Sequence, residues 1–189
     1  MAIFSDFVFW FTLYSFMGWL MESTFASIKQ RKYINRGFLK GYICPIYGFG
    51  ALIIIQNSIV INSLFQNTTV RILVGLVSSI LLVSILEYYT GTIFERIFHQ
   101  KWWDYSTKKY NLKGYVCLQF SIVWGLLAFI LINVVHPFVN SMTSNLNLYT
   151  KEMIALLFFM GLSFDTITTV SEIIKQNKTQ VDERKNAIN

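Results

Sequence analysis

Five carboxylates interrupt long apolar runs, and they are the residues in this sequence best placed to do chemistry: Glu22, Glu87, Glu95, Asp165 and Glu172. Glu87 stands nine residues before Arg96, and Asp165 ten before Lys175. If the runs are helices, a rise of ~1.5 Å per residue sets both acids ~14 Å from the nearer end, close to the middle of a ~30 Å hydrocarbon layer. An ionised carboxylate at that depth costs ~2.5 kcal/mol or more to insert. It must face other helices, meet a cation or stay protonated. No Lys or Arg lies at that level, but hydroxyls do: Ser84, Tyr88, Tyr89 and Thr90 around Glu87, and Thr166, Thr168 and Thr169 around Asp165. Two readings stay open: a proton, cation or ligand site, or protonated acids hydrogen-bonded for packing alone. Glu22, Glu95 and Glu172 lie shallower, within reach of snorkelling Arg31, Arg36 or Arg96.

The elements that would hold these acids are membrane helices. The 189 residues are 54% hydrophobic and 14% charged, against ~25% charged in soluble domains. No charged side chain occurs between Lys40 and Arg71, or between Lys113 and Lys151. A bilayer span takes ~20 mostly apolar residues, which places helices at about 4–28, 45–62, 71–95, 114–136 and 152–175. The fold class expected is an all-α integral membrane protein with five transmembrane helices in one domain (1–175), followed by a charged tail (176–189). The basic n-region of a cleaved signal peptide is missing, since the first basic residue is Lys29.

Charge also sets a direction. Of the 16 Lys and Arg residues, 14 fall in the 29–42 loop, the 96–113 loop and the tail. The positive-inside rule puts these in the cytoplasm of a multi-pass cell-membrane protein, with the N-terminus outside. Cys44 and Cys117 then sit near the cytoplasmic face, where thiols stay reduced.

The chain repeats itself. Leu39–Cys44 and Leu112–Cys117 differ at one position and are offset by 73 residues, and the same offset relates Gly18 and Glu22 to Gly91 and Glu95. Two helix–loop–helix units (4–63 and 71–136) therefore align in the same orientation, a parallel repeat about an axis normal to the membrane, plus a fifth helix. Gly161 and Asp165 echo the Gly-x-x-x-acid pattern. A site is expected where the units meet, and Gly48, Gly50, Ala51, Gly75, Gly91, Gly125 and Gly161 would let backbones approach closely.

The 96–115 loop mixes bases with Trp102, Trp103, Tyr105, Tyr110 and Tyr115. Such rings suit the headgroup level. They would also suit a headgroup pocket in which Lys101 and its neighbours hold an anion and Asp104 fixes the geometry. His99 with Asp104 and Glu95 lacks ligand spacing, so no metal is assigned. The chain has no G-x-x-x-x-G-K-[ST] phosphate loop, no H-E-x-x-H, no C-x-x-C and no G-x-S-x-G. No cofactor, catalytic residue or nucleic-acid partner is expected. Asn67-Thr-Thr is formally a glycosylation sequon in an outer loop.

The strings GWLMES (18–23), NRGFLKGYICPIYGFGAL (35–52) and the stretch 86–125, which carries WWDYS and NLKGYVC, resemble bacterial membrane proteins of the ABC-transporter type IV (CmpB-like) family. The resemblance runs over roughly 4–137. It implies a transport role and marks Glu22, Asn35, Arg36, Gly37, Pro45, Tyr47, Gly48, Glu87, Glu95, Trp103, Asp104, Tyr105, Asn111 and Gly114 as motif positions. Asp165 then rests on the depth argument alone.

Three functions follow as expectations. The first is a transporter permease subunit that relies on a separate ATPase or on an ion gradient through Glu87 and Asp165, and that works as a homo-oligomer or with a partner subunit. The second is an inner-leaflet enzyme or binding protein for lipid headgroups. The third is a non-catalytic assembly or regulatory factor. The candidate intramembrane site is Glu87, Asp165, Glu22 and Glu95, and the candidate cytoplasmic-face site is Asn35, Arg36, Trp103, Asp104, Tyr105 and Asn111, with membrane lipids as neighbours of both.

Overall fold

The computed structural model describes the backbone of residues 2–186 and the side chains of residues 5–179. Helix α1 spans Ala2–Gln30, α2 Pro45–Leu64 and α3 Thr68–Phe98. A small antiparallel hairpin follows, β1 (Asn111–Leu112) against β2 (Val116–Cys117). Then come α4 (Leu118–Ile130), a π-helical turn (Leu131–Val135), α5 (His136–Thr143) and α6 (Leu148–Asn186). The tail expected at 176–189 continues α6 as far as Asn186; its side chains from residue 180 on lie outside the described residues.

Among the described residues, four helical stretches are long and apolar enough to cross a membrane: Pro45–Leu64, Thr68–Phe98, Leu118–Thr143 and Leu148–Thr179. Helix α1 has the length but carries few Ile, Leu and Val residues, and is not among the four. The helices pack as a series of neighbours, α6 on α1, α1 on α2, α2 on α3 and α3 on α4. Among the described residues, only Ile54, Val83 and Ala128 form a buried apolar cluster, with Trp124, Leu131 and Ile132 against it. Large apolar side chains instead point outward along every helix, Phe164 being 72% exposed. A water-soluble monomer rarely shows contiguous apolar patches beyond a few hundred Å², so this surface suits lipid.

Element ends follow local chemistry. Pro45 opens α2, where its missing N–H costs nothing. The Asn67 side chain caps α3 by accepting from the Val70 N–H, so the sequon asparagine is an N-cap. The fourth helix starts at Leu118 rather than about 114, because left-handed turns at Tyr110 (φ 52°), Lys113 (φ 54°) and Gly114 (φ 76°) build the hairpin first. It also runs on past 136. Pro137 donates no hydrogen bond and crowds the carbonyl four residues back. The turn before it widens, and the His136 N–H reaches Leu131 O.

Glycines let several pairs of elements touch. A Cβ at Gly18 would run into the Tyr47 ring, and one at Gly48 into Ser15 and the Phe11 carbonyl. Gly91 is backed by Tyr115, and Gly125 by Ile80. Gly161 has nothing near it and Gly50 and Gly75 have ordinary clearance, so these three do not serve as close-contact points as expected.

Candidate functional site

Glu87 projects from α3 into the middle of the bundle and is 4% exposed. Its Oε1 accepts a hydrogen bond from the Tyr105 hydroxyl (3.1 Å) and its Oε2 one from the Trp124 indole N–H (3.2 Å). The Trp124 ring, on α4, meets the Tyr47 ring of α2 edge-on, with centroids 5.6 Å apart. Tyr47 donates its hydroxyl to Glu22 Oε1 of α1 at 2.5 Å. Four helices and one loop thus contribute to a continuous aromatic and carboxylate cluster. The Tyr105 hydroxyl, in the loop, is held well above its usual range, first by burial and then by the charge of Glu87, its hydrogen bond to Glu87 and the charge of Glu22. The Cys44 thiol is pushed up to about 12, by burial first and then by the Glu22 charge. Both cysteines are free thiols.

No cation offsets this negative centre among the described residues. The ion pairs there are Lys40–Glu172, Lys101–Glu95 (3.9 Å) and Lys151–Asp6 (3.0 Å). Lysines make all three, whereas Arg31, Arg36 and Arg96 were expected to reach the shallow acids. The two donors on Glu87 satisfy its ionised form. Indole N–H can only donate, but a tyrosine hydroxyl can donate or accept. Protonating Glu87 on Oε1 therefore reverses the Tyr105 bond instead of breaking it, and frees the phenolic hydrogen for another acceptor. A centre of this kind can exchange a proton, or hold a small or organic cation against the rings of Tyr47, Tyr105 and Trp124.

The loop between α3 and α4 is built to deliver Tyr105. His99 ends α3 in a left-handed conformation (φ 55°). Asp104 accepts from the Ser106 N–H (2.9 Å) and closes a turn. That contact, then the nearby Lys101, holds its carboxyl below the usual range. Asn111 donates to the carbonyls of Lys108 (2.7 Å) and Ser106 (3.2 Å) and accepts from the Gly114 N–H (3.1 Å). The Trp103 indole donates to the Tyr115 carbonyl (2.8 Å), and the Tyr105 N–H to the Gly114 carbonyl (2.8 Å). Tyr115 donates its hydroxyl to Glu95, which raises the hydroxyl's pKa. The Tyr105 ring stacks on Phe120 (4.7 Å, 21°) and so points at Glu87.

The loop between α1 and α2 is fixed in a similar way. Asn35 accepts from the Trp19 indole (2.6 Å) and donates to the Lys40 carbonyl (2.7 Å), while the Arg36 N–H donates to Ser23 (3.0 Å). Asp165 of α6 accepts from the Gly41 N–H (2.9 Å) and from the Thr169 hydroxyl (3.2 Å). Phe38 is inserted among Phe94, Phe98 and Trp102, with centroids 4.7 to 5.3 Å away, and joins the two loops.

Of the ten residues expected at a site, Glu22, Glu87 and Tyr105 come together. Glu95, Trp103, Asp104 and Asn111 shape the second loop. Asn35 and the Arg36 backbone shape the first, and Asp165 holds it from α6. Trp124 was missed. Its signal was a tryptophan deep in an apolar run, whose N–H needs an acceptor when buried. His99, Asp104 and Glu95 do three separate jobs.

Neither a curated protein nor a solved structure matches the chain. A family model does match, over residues 9–170. The match takes in Asp165 and most of the membrane part of α6, which the resemblance over 4–137 left out. With that coverage, the chain belongs to the family described as "Putative ABC-transporter type IV".

Proposed function

We propose that this protein is the permease subunit of a transporter, lacking an ATP site of its own, with Glu87 as its intramembrane proton or cation site and Glu22 as the second carboxylate of that site. The observation that carries the reading is Glu87 itself: a buried carboxylate held by two donors, with no cation beside it among the described residues. A purely structural acid at such depth gains little over an apolar residue. A residue that must gain and lose charge needs this kind of setting. Asp165 has a smaller part in this proposal, because it accepts from the loop backbone.

In this reading α1 is the fifth span, the two repeat units face each other across the Glu22–Glu87 cluster, and the protein sits in the plasma membrane with its basic loops and tail in the cytoplasm. Five spans make a small pathway, which favours a homo-oligomer or a partner subunit. A separate ATPase would dock on the loops joined by Phe38. The test is purification from the native host in mild detergent, together with complementation of a deletion strain by Glu87→Gln. A stoichiometric ATP-hydrolysing subunit and a non-complementing variant are expected. Recovery of the chain alone, with full complementation by Glu87→Gln, sinks the reading.

A further inference from the structure

The loop that delivers Tyr105 inward has an outer side of different chemistry. There a cavity of about 410 Å³ is bounded by Lys108, Lys109 and Tyr110 on one wall and by Leu118, Gln119 and Ile122 on the other. Leu118 is the first residue of a membrane-length helical stretch, and Leu118 and Ile122 are 51% and 58% exposed. One wall is therefore cationic and lies just outside the span, and the other is hydrocarbon and lies within it. Neither lysine is in an ion pair among the described residues.

The site is preformed. The Lys108 N–H donates to the Tyr105 carbonyl (2.8 Å), and its own carbonyl accepts from Asn111 (2.7 Å). The Tyr110 carbonyl accepts from the Leu118 N–H (3.1 Å), which keeps Tyr110 in its left-handed conformation. The backbone bearing both lysines is thus tied to the start of α4, and little ordering is left for a ligand to impose. A free phosphate would satisfy the lysines and leave the apolar wall bare. An uncharged lipid would do the reverse.

We propose that this cavity binds one anionic phospholipid, its phosphate on Lys108 and Lys109 and the start of an acyl chain along Leu118 and Ile122. The proposal is independent of the Glu87 reading. Basic side chains at an anionic membrane surface each contribute about fivefold in affinity, or roughly twenty-five-fold for the pair. The experiment is native mass spectrometry of the full chain in mild detergent, titrated with phosphatidylglycerol or phosphatidylcholine, with glycerol phosphate as competitor. A single phosphatidylglycerol adduct is expected, weakened by that factor in Lys108→Gln/Lys109→Gln and unchanged in Lys113→Gln, a neighbouring lysine outside the cavity. Far-UV circular dichroism confirms that the variants fold. Equal retention of both lipids, an adduct indifferent to the double substitution, or displacement by millimolar glycerol phosphate each overturns the proposal. So does loss of a bound protein subunit, rather than lipid, in the double variant.

Discussion

Replacing Tyr105 with phenylalanine removes one hydroxyl and little else. The ring keeps its stack on Phe120, and the backbone keeps its bond to Gly114. What is lost is the 3.1 Å hydrogen bond to Glu87. A bond to a charged group contributes ~1.5–3 kcal/mol and a neutral one ~0.5–1.5, while measured side-chain bonds within membranes average ~0.6. The 3.1 Å length and the membrane setting point to the low end of each range. Tyr105→Phe should therefore cost ~1.5 kcal/mol in the parent and ~0.5 in a Glu87→Gln background, where the amide is neutral. The coupling is then ~1 kcal/mol, above the ~0.3–0.5 that independent sites show. The assay is reversible unfolding of the four variants by dodecyl sulfate titration in mixed micelles at pH 8, followed by tryptophan fluorescence and circular dichroism. A coupling indistinguishable from zero would refute an ionised Glu87 held by Tyr105.

Gly114→Ala should loosen the second loop by at least ~1–2 kcal/mol, since Gly114 has φ 76° and an added Cβ would meet Asp104; faster proteolysis between residues 99 and 117, with the helices intact, is the readout. Asp165→Asn keeps an acceptor for the Gly41 N–H and should leave both stability and complementation near normal, whereas Asp165→Ala strands that N–H at ~1–3 kcal/mol; loss of complementation in the asparagine variant alone would show that the charge itself is needed. Asp104 is held below the usual carboxylate range. A lowered folded pKa contributes stability above the unfolded value of ~3.9, lost as pH falls through the folded value. Protection of amides 99–117, after correction for the intrinsic pH dependence of exchange, should therefore hold from pH 7 to pH 5 and fall only below pH ~4; opening near pH 6 would assign the change to another group.

The helices were legible because hydrocarbon tolerates so few patterns. Two charge-free runs and three nearly charge-free ones give helices whose cores agree with α1, α2, α3, α4 and α6. The ends were less legible where they depend on distant partners. The start of α4 is set by Asn111 bonding to three backbone groups, and its extension past His136 by the widened turn ahead of Pro137. Depth along the sequence singled out Glu87 correctly as a buried acid. It could not show that Asp165, at a similar count from its helix end, meets the Gly41 N–H. That contact is made by a loop folding back over 124 residues of sequence. The arginines were favoured as partners for their reach, but pairing followed from where the loops brought Lys40 and Lys101.

Phe38 gives the molecule a mechanical property. Its ring belongs to the first loop but lies among Phe94 and Phe98 of α3 and Trp102 of the second loop. Asn177 of α6 donates to the Phe98 carbonyl beside it (3.0 Å). The two loops therefore behave as meshed gears with a shaft in α6. A displacement of the first loop would therefore press on Phe94, Phe98 and Trp102, and so on the loop that carries Tyr105. A binder that grips only one loop would still move both ends of the train.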